Sequence, residues 1–164
     1  MTDFYVDTSA LLKRYLKEPG TSAVDLLFNN ASPGSRFHTS FFTVLEVCAA
    51  LLRPLKAGQL TQRVVDVALA QFGQDTQGLL NVWPVDQDVL TGAKTVVMKH
   101  RLRAPDAIHL STALDIRSVV GDVSLVLVAS DKELLQASAE QRLVTLNPQE
   151  PKAEKRIREF GAIK

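Results

Sequence analysis

The sequence predicts an α/β fold, a three-layer α/β/α arrangement around a mainly parallel central sheet of four to five strands. Three observations predict it. Short runs rich in β-branched and aromatic residues alternate with longer segments of helical apolar spacing, as strand–helix–strand crossovers require. Two of those runs, "DFYVDTSALL" (Asp3–Leu12) and "LVLVASDKEL" (Leu125–Leu134), pass from an apolar strand into a single acid and then into a helical pattern. The 164 residues, 46% of them hydrophobic and 23% charged, suffice for one core of this size.

Taken in order, the apolar-aromatic opening gives a strand at Phe4–Val6, followed by helices over Ser9–Leu16 and Thr21–Asn30. "NASPGS" (Asn30–Ser35) is loop punctuation ahead of a short strand at Phe37–His38. The next helix spans Thr43–Leu55, with Thr43 and Glu46 spaced as a capping box, and "KAGQ" (Lys56–Gln59) separates it from a helix over Thr61–Leu80. A strand at Asn81–Pro84 and a helix over Gln87–Lys99 follow. Pro105 starts the helix to Arg117, because its missing N–H is harmless at the first helical position. The all-apolar Leu125–Val128 reads as a fully buried strand. A helix over Asp131–Gln141, boxed by Ser130 and Glu133, and a weak strand at Arg142–Thr145 complete a domain of residues 1–147. Beyond Asn147 the pattern loosens; two prolines and mixed charges imply a peripheral tail over 148–164, with one helical turn around Ile157 and Phe160.

Composition excludes several classes. Nineteen basic and eighteen acidic residues leave a net charge of +1, so any nucleic-acid or membrane affinity must come from local patches. One cysteine, Cys48, rules out an internal disulfide and a cysteine-based zinc knuckle; its apolar helical surroundings suit a buried filler. No basic-then-apolar signal segment opens the chain and no apolar run approaches about 18 residues, so a cytoplasmic protein without membrane contact is expected.

The chemistry lies in four acids at helix starts. In an open parallel sheet the carboxyl ends of the strands share one edge, where ligands bind. Asp7 and Asp131 each follow a strand, Asp106 falls in the first turn after Pro105, and Glu46 belongs to the Thr43 box. Singly, each is explained as an acid favoured by the helix dipole. Jointly they are not. Two carboxylates about 4 Å apart at an effective dielectric of about 20 repel by about 4 kcal/mol, whereas the dipole returns about 0.3–1 kcal/mol per acid. A hard divalent cation such as Mg²⁺ or Mn²⁺ offsets that repulsion.

The set "YVDTSALLKRY", "TVLEVCAALL", "LRAPDAIHLSTAL" and "ASDKELLQAS" resembles a PIN-domain ribonuclease, in particular a VapC-type toxin of a toxin–antitoxin pair, over nearly the whole chain through Thr145. By that resemblance Asp7, Glu46, Asp106 and Asp131 are the acidic quartet, and Ser9 and Ser130 are the small hydroxyl residues beside its first and last members. The resemblance implies a PIN-like fold and RNA cleavage that leaves a 5′-phosphate. Asp7 and Asp106 would be the principal ligands, Glu46 would complete the first site, and Asp131 would orient water or support a second ion. It also implies a homodimer and a short VapB-type antitoxin laid along the early helices. "AVDLLFN" (Ala23–Asn29) and "CAALLRPL" (Cys48–Leu55) are the apolar segments open to such docking. Asp122 shares the long interval between Asp106 and Asp131, but "VVGDVS" reads as a turn at the opposite end of the sheet. In "KHRLR" (Lys99–Arg103), Arg101 and Arg103 could meet RNA phosphates, as could Lys13 and Arg14. His109 shares a face with Asp106 and is assigned to packing or hydrogen bonding. His38 and His100 show no zinc spacing, and Trp83 is placed in the core or an interface.

Two other classes fit less well. A phosphatase of the haloacid dehalogenase type expects a second Asp two residues after the first, where this chain has Ser9, and no G-x-S-x-G elbow is present. A catalytically inactive binding module would have no use for four acids.

Overall fold

The structure, a computed structural model, describes residues 2–121 and 124–162. Asp122 lies outside the described residues. The elements are β1 (Thr2–Val6), α1 (Thr8–Leu11) with a 3₁₀ turn over Leu12–Arg14, α2 (Thr21–Asn30), β2 (Phe37–Ser40), α3 (Phe41–Lys56), α4 (Gln62–Gly78), β3 (Leu80–Trp83), α5 (Gln87–His100), α6 (Ala104–Val120), β4 (Ser124–Val128), α7 (Lys132–Glu140), β5 (Val144–Leu146) and α8 (Ala153–Ala162).

Among the described residues the sheet has five strands in the order β3-β2-β1-β4-β5, and every pairing is parallel. Helices cover both faces, which is why β1 and most of β4 are buried along their length. Period-two alternation divides the core. Phe4, Val6, Val126 and Val128 face one layer with Leu27, Val47, Leu51 and Phe72; Tyr5, Leu125 and Leu127 face the other with Leu110, Ile116 and Leu134. The chain steps outward from β1 to β3, then returns beside β1 to lay down β4. The crevice between the carboxyl ends of β1 and β4 is therefore a topological switch point. None of the helices among the described residues is long and apolar enough to cross a membrane.

Several local expectations change. α3 begins at Phe41, because the hydroxyl of Ser40, the last residue of β2, accepts from the Thr43 N–H at 3.1 Å. Thr43 is thus inside the helix, and Glu46 sits in its second turn rather than in a capping box. Asp131 caps α7 itself, taking the N–H groups of Glu133 and Leu134 at 2.9 and 3.0 Å, which leaves Ser130 no capping role. β5 starts at Val144, since Arg142 adopts φ of 61° in the turn before it. Cys48 is half-buried rather than enclosed. Residues 153–162, expected as a tail with one helical turn, form α8. Ala153 and Ile157 are buried in the first core layer, Phe160 lies edge-on to Phe4 at 6.0 Å, and Arg156 Nη2 donates to the Thr145 carbonyl at 2.7 Å. A helix with apolar residues at i, i+4 and i+7 covers that end of the sheet despite its many charges.

Candidate active site at the carboxyl edge of the sheet

Asp7 stands at the end of β1 and caps α1, its Oδ1 accepting from the Ala10 N–H at 2.9 Å. The Ser9 hydroxyl lies 2.9 and 3.0 Å from the two carboxyl oxygens and itself accepts from the Ser130 N–H at 2.8 Å, tying the β1 and β4 loops across the switch point. Asp7 is buried, at 4% exposure. Burial pushes its carboxyl above the usual carboxylate range; the nearby His109 and the donors at Ala10 and Ser9 oppose that rise without cancelling it.

Asp106 lies in the first turn of α6 beside Pro105 and is also buried. Burial first, then the charge of Asp131, raises its pKa against the opposing charge and hydrogen bond of Arg103. The Arg103 guanidinium spans the two acids, with Nε 3.0 Å from Asp106 Oδ2 and Nη2 3.2 Å from Asp131 Oδ2. Its side chain is 71% exposed, so these are mobile surface ion pairs of small individual worth.

Glu46 is held from two sides. Its Oε2 accepts from the Thr8 hydroxyl and from His109 Nε2, the latter at 2.8 Å. With that nitrogen donating, His109 Nδ1 accepts the Tyr5 hydroxyl at 2.9 Å, giving a chain from Tyr5 through His109 to Glu46. Burial raises the Glu46 pKa, but the His109 and Thr8 hydrogen bonds outweigh it and hold the group below its usual value.

The four acids are tied together in separate groups. Asp106 and Asp131 are joined through Arg103, Glu46 reaches the Asp7 loop through Thr8, and His109, three residues after Asp106 on α6, binds Glu46. Thr8 and Tyr5 carry no sequence signal for these contacts, whereas His109, expected in packing or hydrogen bonding on the Asp106 face, makes two hydrogen bonds there. Arg101 caps α5 in a left-handed conformation and is exposed, away from these contacts. Lys13 is buried against Glu18 and Arg14 pairs with Asp75 at 2.6 Å, so neither is free to meet a phosphate as expected. His100 packs against Glu140 and Gln141, and Trp83 Nε1 donates to His38 Nδ1 at 2.9 Å in the half-buried β3 region.

Among the described residues no three His, Cys, Asp or Glu side chains converge closely enough to hold one metal ion. The tight carboxylate cluster expected from the sequence does not form among the described residues: Arg103 pairs with Asp106 and Asp131, Thr8 and His109 bind Glu46, and Asp7 has only neutral donors. The donor chemistry nevertheless suits a hard divalent cation. The acids are oxygen ligands, two of them are buried with their ionised forms disfavoured, and the Ser130 hydroxyl beside them is the one buried side-chain polar atom without a partner among the described residues.

Comparison with known proteins places the chain. The PIN domain model matches residues 4–140. Solved structures with the same fold include FitAcB from Neisseria gonorrhoeae (18% identity over 88% of this chain and 97% of that one, TM-score 0.64) and VapBC2 from Rickettsia felis bound to a DNA fragment from their promoter (10%, 89% and 98%, TM-score 0.64). Another is VapC20 of Mycobacterium tuberculosis, a Sarcin-Ricin loop cleaving toxin (18%, 82% and 94%, TM-score 0.61). Curated proteins give no significant match. With five parallel strands among the described residues and a family match over most of its length, this chain belongs to the PIN domain family.

Proposed function

We propose that this chain is a metal-dependent endoribonuclease, a VapC-like toxin that hydrolyses RNA phosphodiester bonds at the Asp7–Glu46–Asp106–Asp131 crevice. One observation carries the reading: Asp7 and Asp106 are buried beside the β1–β4 switch point with their carboxyls held above the usual range, a costly arrangement that a bound cation relieves. Similarity to a Sarcin-Ricin loop cleaving toxin supports RNA as the substrate class.

Asp7 and Asp106 would hold Mg²⁺ or Mn²⁺, with Glu46 or Asp131 completing the oxygen set. Such an ion supplies an activated water and neutralises charge that builds on the phosphate. The remaining work falls to the chain. Ser9 fixes the Asp7 carboxyl and joins the two loops through Ser130 N–H. The Ser130 hydroxyl, buried and unpaired beside this link, would donate to a phosphate oxygen only once its loop moves to admit substrate. Tyr5 and His109 orient Glu46 and keep it ionised. Arg103, exposed and on a short reach from Asp106 and Asp131, can exchange those acids for a substrate phosphate.

A protein partner fits a separate surface. Phe41, Leu45 and Leu52 on α3 and Val64 and Val67 on α4 are exposed apolar side chains, and one structure of the same fold is a toxin-antitoxin complex from Klebsiella pneumoniae; we assign these side chains to contact with a VapB-type antitoxin. A cytoplasmic homodimer is the assembly we propose.

Purified protein incubated with single-stranded RNA and Mn²⁺ tests the catalytic reading. Wild type is expected to yield 5′-phosphate ends, with no cleavage by Asp7→Ala or in EDTA. Equal cleavage by wild type and Asp7→Ala would eliminate it.

A further inference from the structure

A second polar cavity of about 420 Å³ lies between the α5–α6 turn and α7, within the size range of small-molecule sites. Leu102 and Ala137, both buried, contribute apolar surface to it. Its distinctive group is Glu140. A half-exposed glutamate ordinarily swings freely in solvent, but this one is pinned: Oε1 accepts from Gln136 Nε2 at 3.2 Å and Oε2 from His100 Nδ1 at 3.0 Å. His100 is itself fixed, because its Nε2 accepts from Gln141 Nε2 at 2.7 Å, which leaves Nδ1 as the donor toward Glu140. Each carboxylate oxygen keeps a spare lone pair, so the site is a preorganised pair of acceptors.

The cavity adjoins the acidic crevice. Glu133 borders both it and the neighbouring hollow formed by Arg103, Ser130, Asp131 and Lys132. From Glu133 to Glu140 is about 10 Å along α7, at 1.5 Å per residue. A chain of nucleotides crossing the crevice would therefore place a base here one or two steps from the cut. The exposed Lys99 and Arg101 on the cavity wall suit its phosphates. The carboxylate repels phosphate and selects a base edge that offers N–H donors. Among unpaired bases, guanine presents two adjacent donors, N1–H and the 2-amino group, which match the two oxygens. Adenine and cytosine set an acceptor nitrogen beside their amino group, and uracil flanks its single N–H with carbonyls.

We propose that this cavity seats an unpaired guanine of the RNA, with Glu140 accepting from its Watson–Crick edge. The assignment rests on the ribonuclease reading of the neighbouring crevice, and its test separates the two.

Fluorescently labelled uridine hexanucleotides carrying one guanosine, inosine or adenosine are titrated with the protein in EDTA, which prevents cutting. The guanosine oligomer is expected to bind about tenfold more tightly than the adenosine one, as one bidentate base contact provides, with inosine, which lacks the 2-amino group, in between. Glu140→Gln and Glu140→Ala are expected to abolish that difference without weakening all-uridine binding, and Glu140→Gln, which still accepts from His100, keeps the unfolding temperature. No guanosine preference in wild type, or a preference that survives Glu140→Ala, overturns the proposal. The same oligomers in Mn²⁺ then report on the crevice: preference without cleavage retains the pocket and defeats the nuclease reading, whereas cleavage without preference does the reverse.

Discussion

Two aspartates at opposite ends of β1 have opposite surroundings. Asp3, near the amino end of β1, is fully buried, and Arg36 grips it with Nε at 3.1 Å and Nη2 at 2.7 Å while His38 Nε2 approaches at 3.2 Å. Trp83 in turn fixes His38, whose own pKa is lowered by burial despite Asp3. Asp7, four residues on and just past the carboxyl end, has only neutral direct donors and a carboxyl pushed upward by burial. A buried acid supplied with its own cation is a structural joint. One left without a bonded cation in a crevice, beside an unpaired hydroxyl, is poised to take a ligand.

Exchanging the charge at each position separates the two roles. The largest effect concerns cleavage: Asp7→Asn is expected to slow RNA hydrolysis by about 10³-fold or more, while Asp3→Asn leaves the rate per folded molecule within about twofold. Stability should move the other way. In urea unfolding at pH 7 without divalent ions, Asp3→Asn is expected to cost about 2 kcal/mol, less than a wholly enclosed pair because the Arg36 side chain is 48% exposed. Asp7→Asn, which keeps the helix cap, should gain about 1 kcal/mol by removing an uncompensated buried charge. The pH dependence follows from the same sign. A carboxyl whose folded pKa is raised binds more protons folded than unfolded, so the contributions of Asp7 and Asp106 fall as pH rises from the ordinary carboxylate value through their raised values. Asp7→Asn should flatten that decline in metal-free unfolding curves.

Smaller effects refine the contrast. Arg103→Ala frees Asp106 and Asp131 from their shared guanidinium and is expected to tighten Mn²⁺ binding about threefold by calorimetry while weakening RNA binding; unchanged Mn²⁺ affinity would mean that the guanidinium does not compete for those acids. Ser130→Ala should change stability by less than about 0.5 kcal/mol, since the hydroxyl has no partner, yet reduce cleavage severalfold. A loss of stability without a loss of rate would make Ser130 structural.

The parallel sheet and the positions of Asp7, Asp106 and Asp131 could be read from sequence because each depends on a local pattern: an apolar strand stopping at an acid, or a proline opening a helix. What depends on distant partners could not. Thr43 and Glu46 have box spacing, but β2 runs straight into α3 and Ser40 takes the cap first. Arg14 looked available until Asp75, 61 residues away, appeared beside it. Glu46 shows no local sign that Thr8 and His109 orient it. α8 does carry a local pattern, for Ala153, Ile157 and Phe160 have helical spacing beneath the surrounding charges.

The uncompensated charge at the carboxyl edge is tested most directly by the melting temperature of EDTA-stripped protein as Mn²⁺ is added. A saturable rise of about 5–10 °C is expected for wild type at about 100 times the dissociation constant, with the same rise for Asp3→Asn and none for Asp7→Asn. A flat wild-type curve, or an equal rise for Asp7→Asn, would contradict a cation site at Asp7.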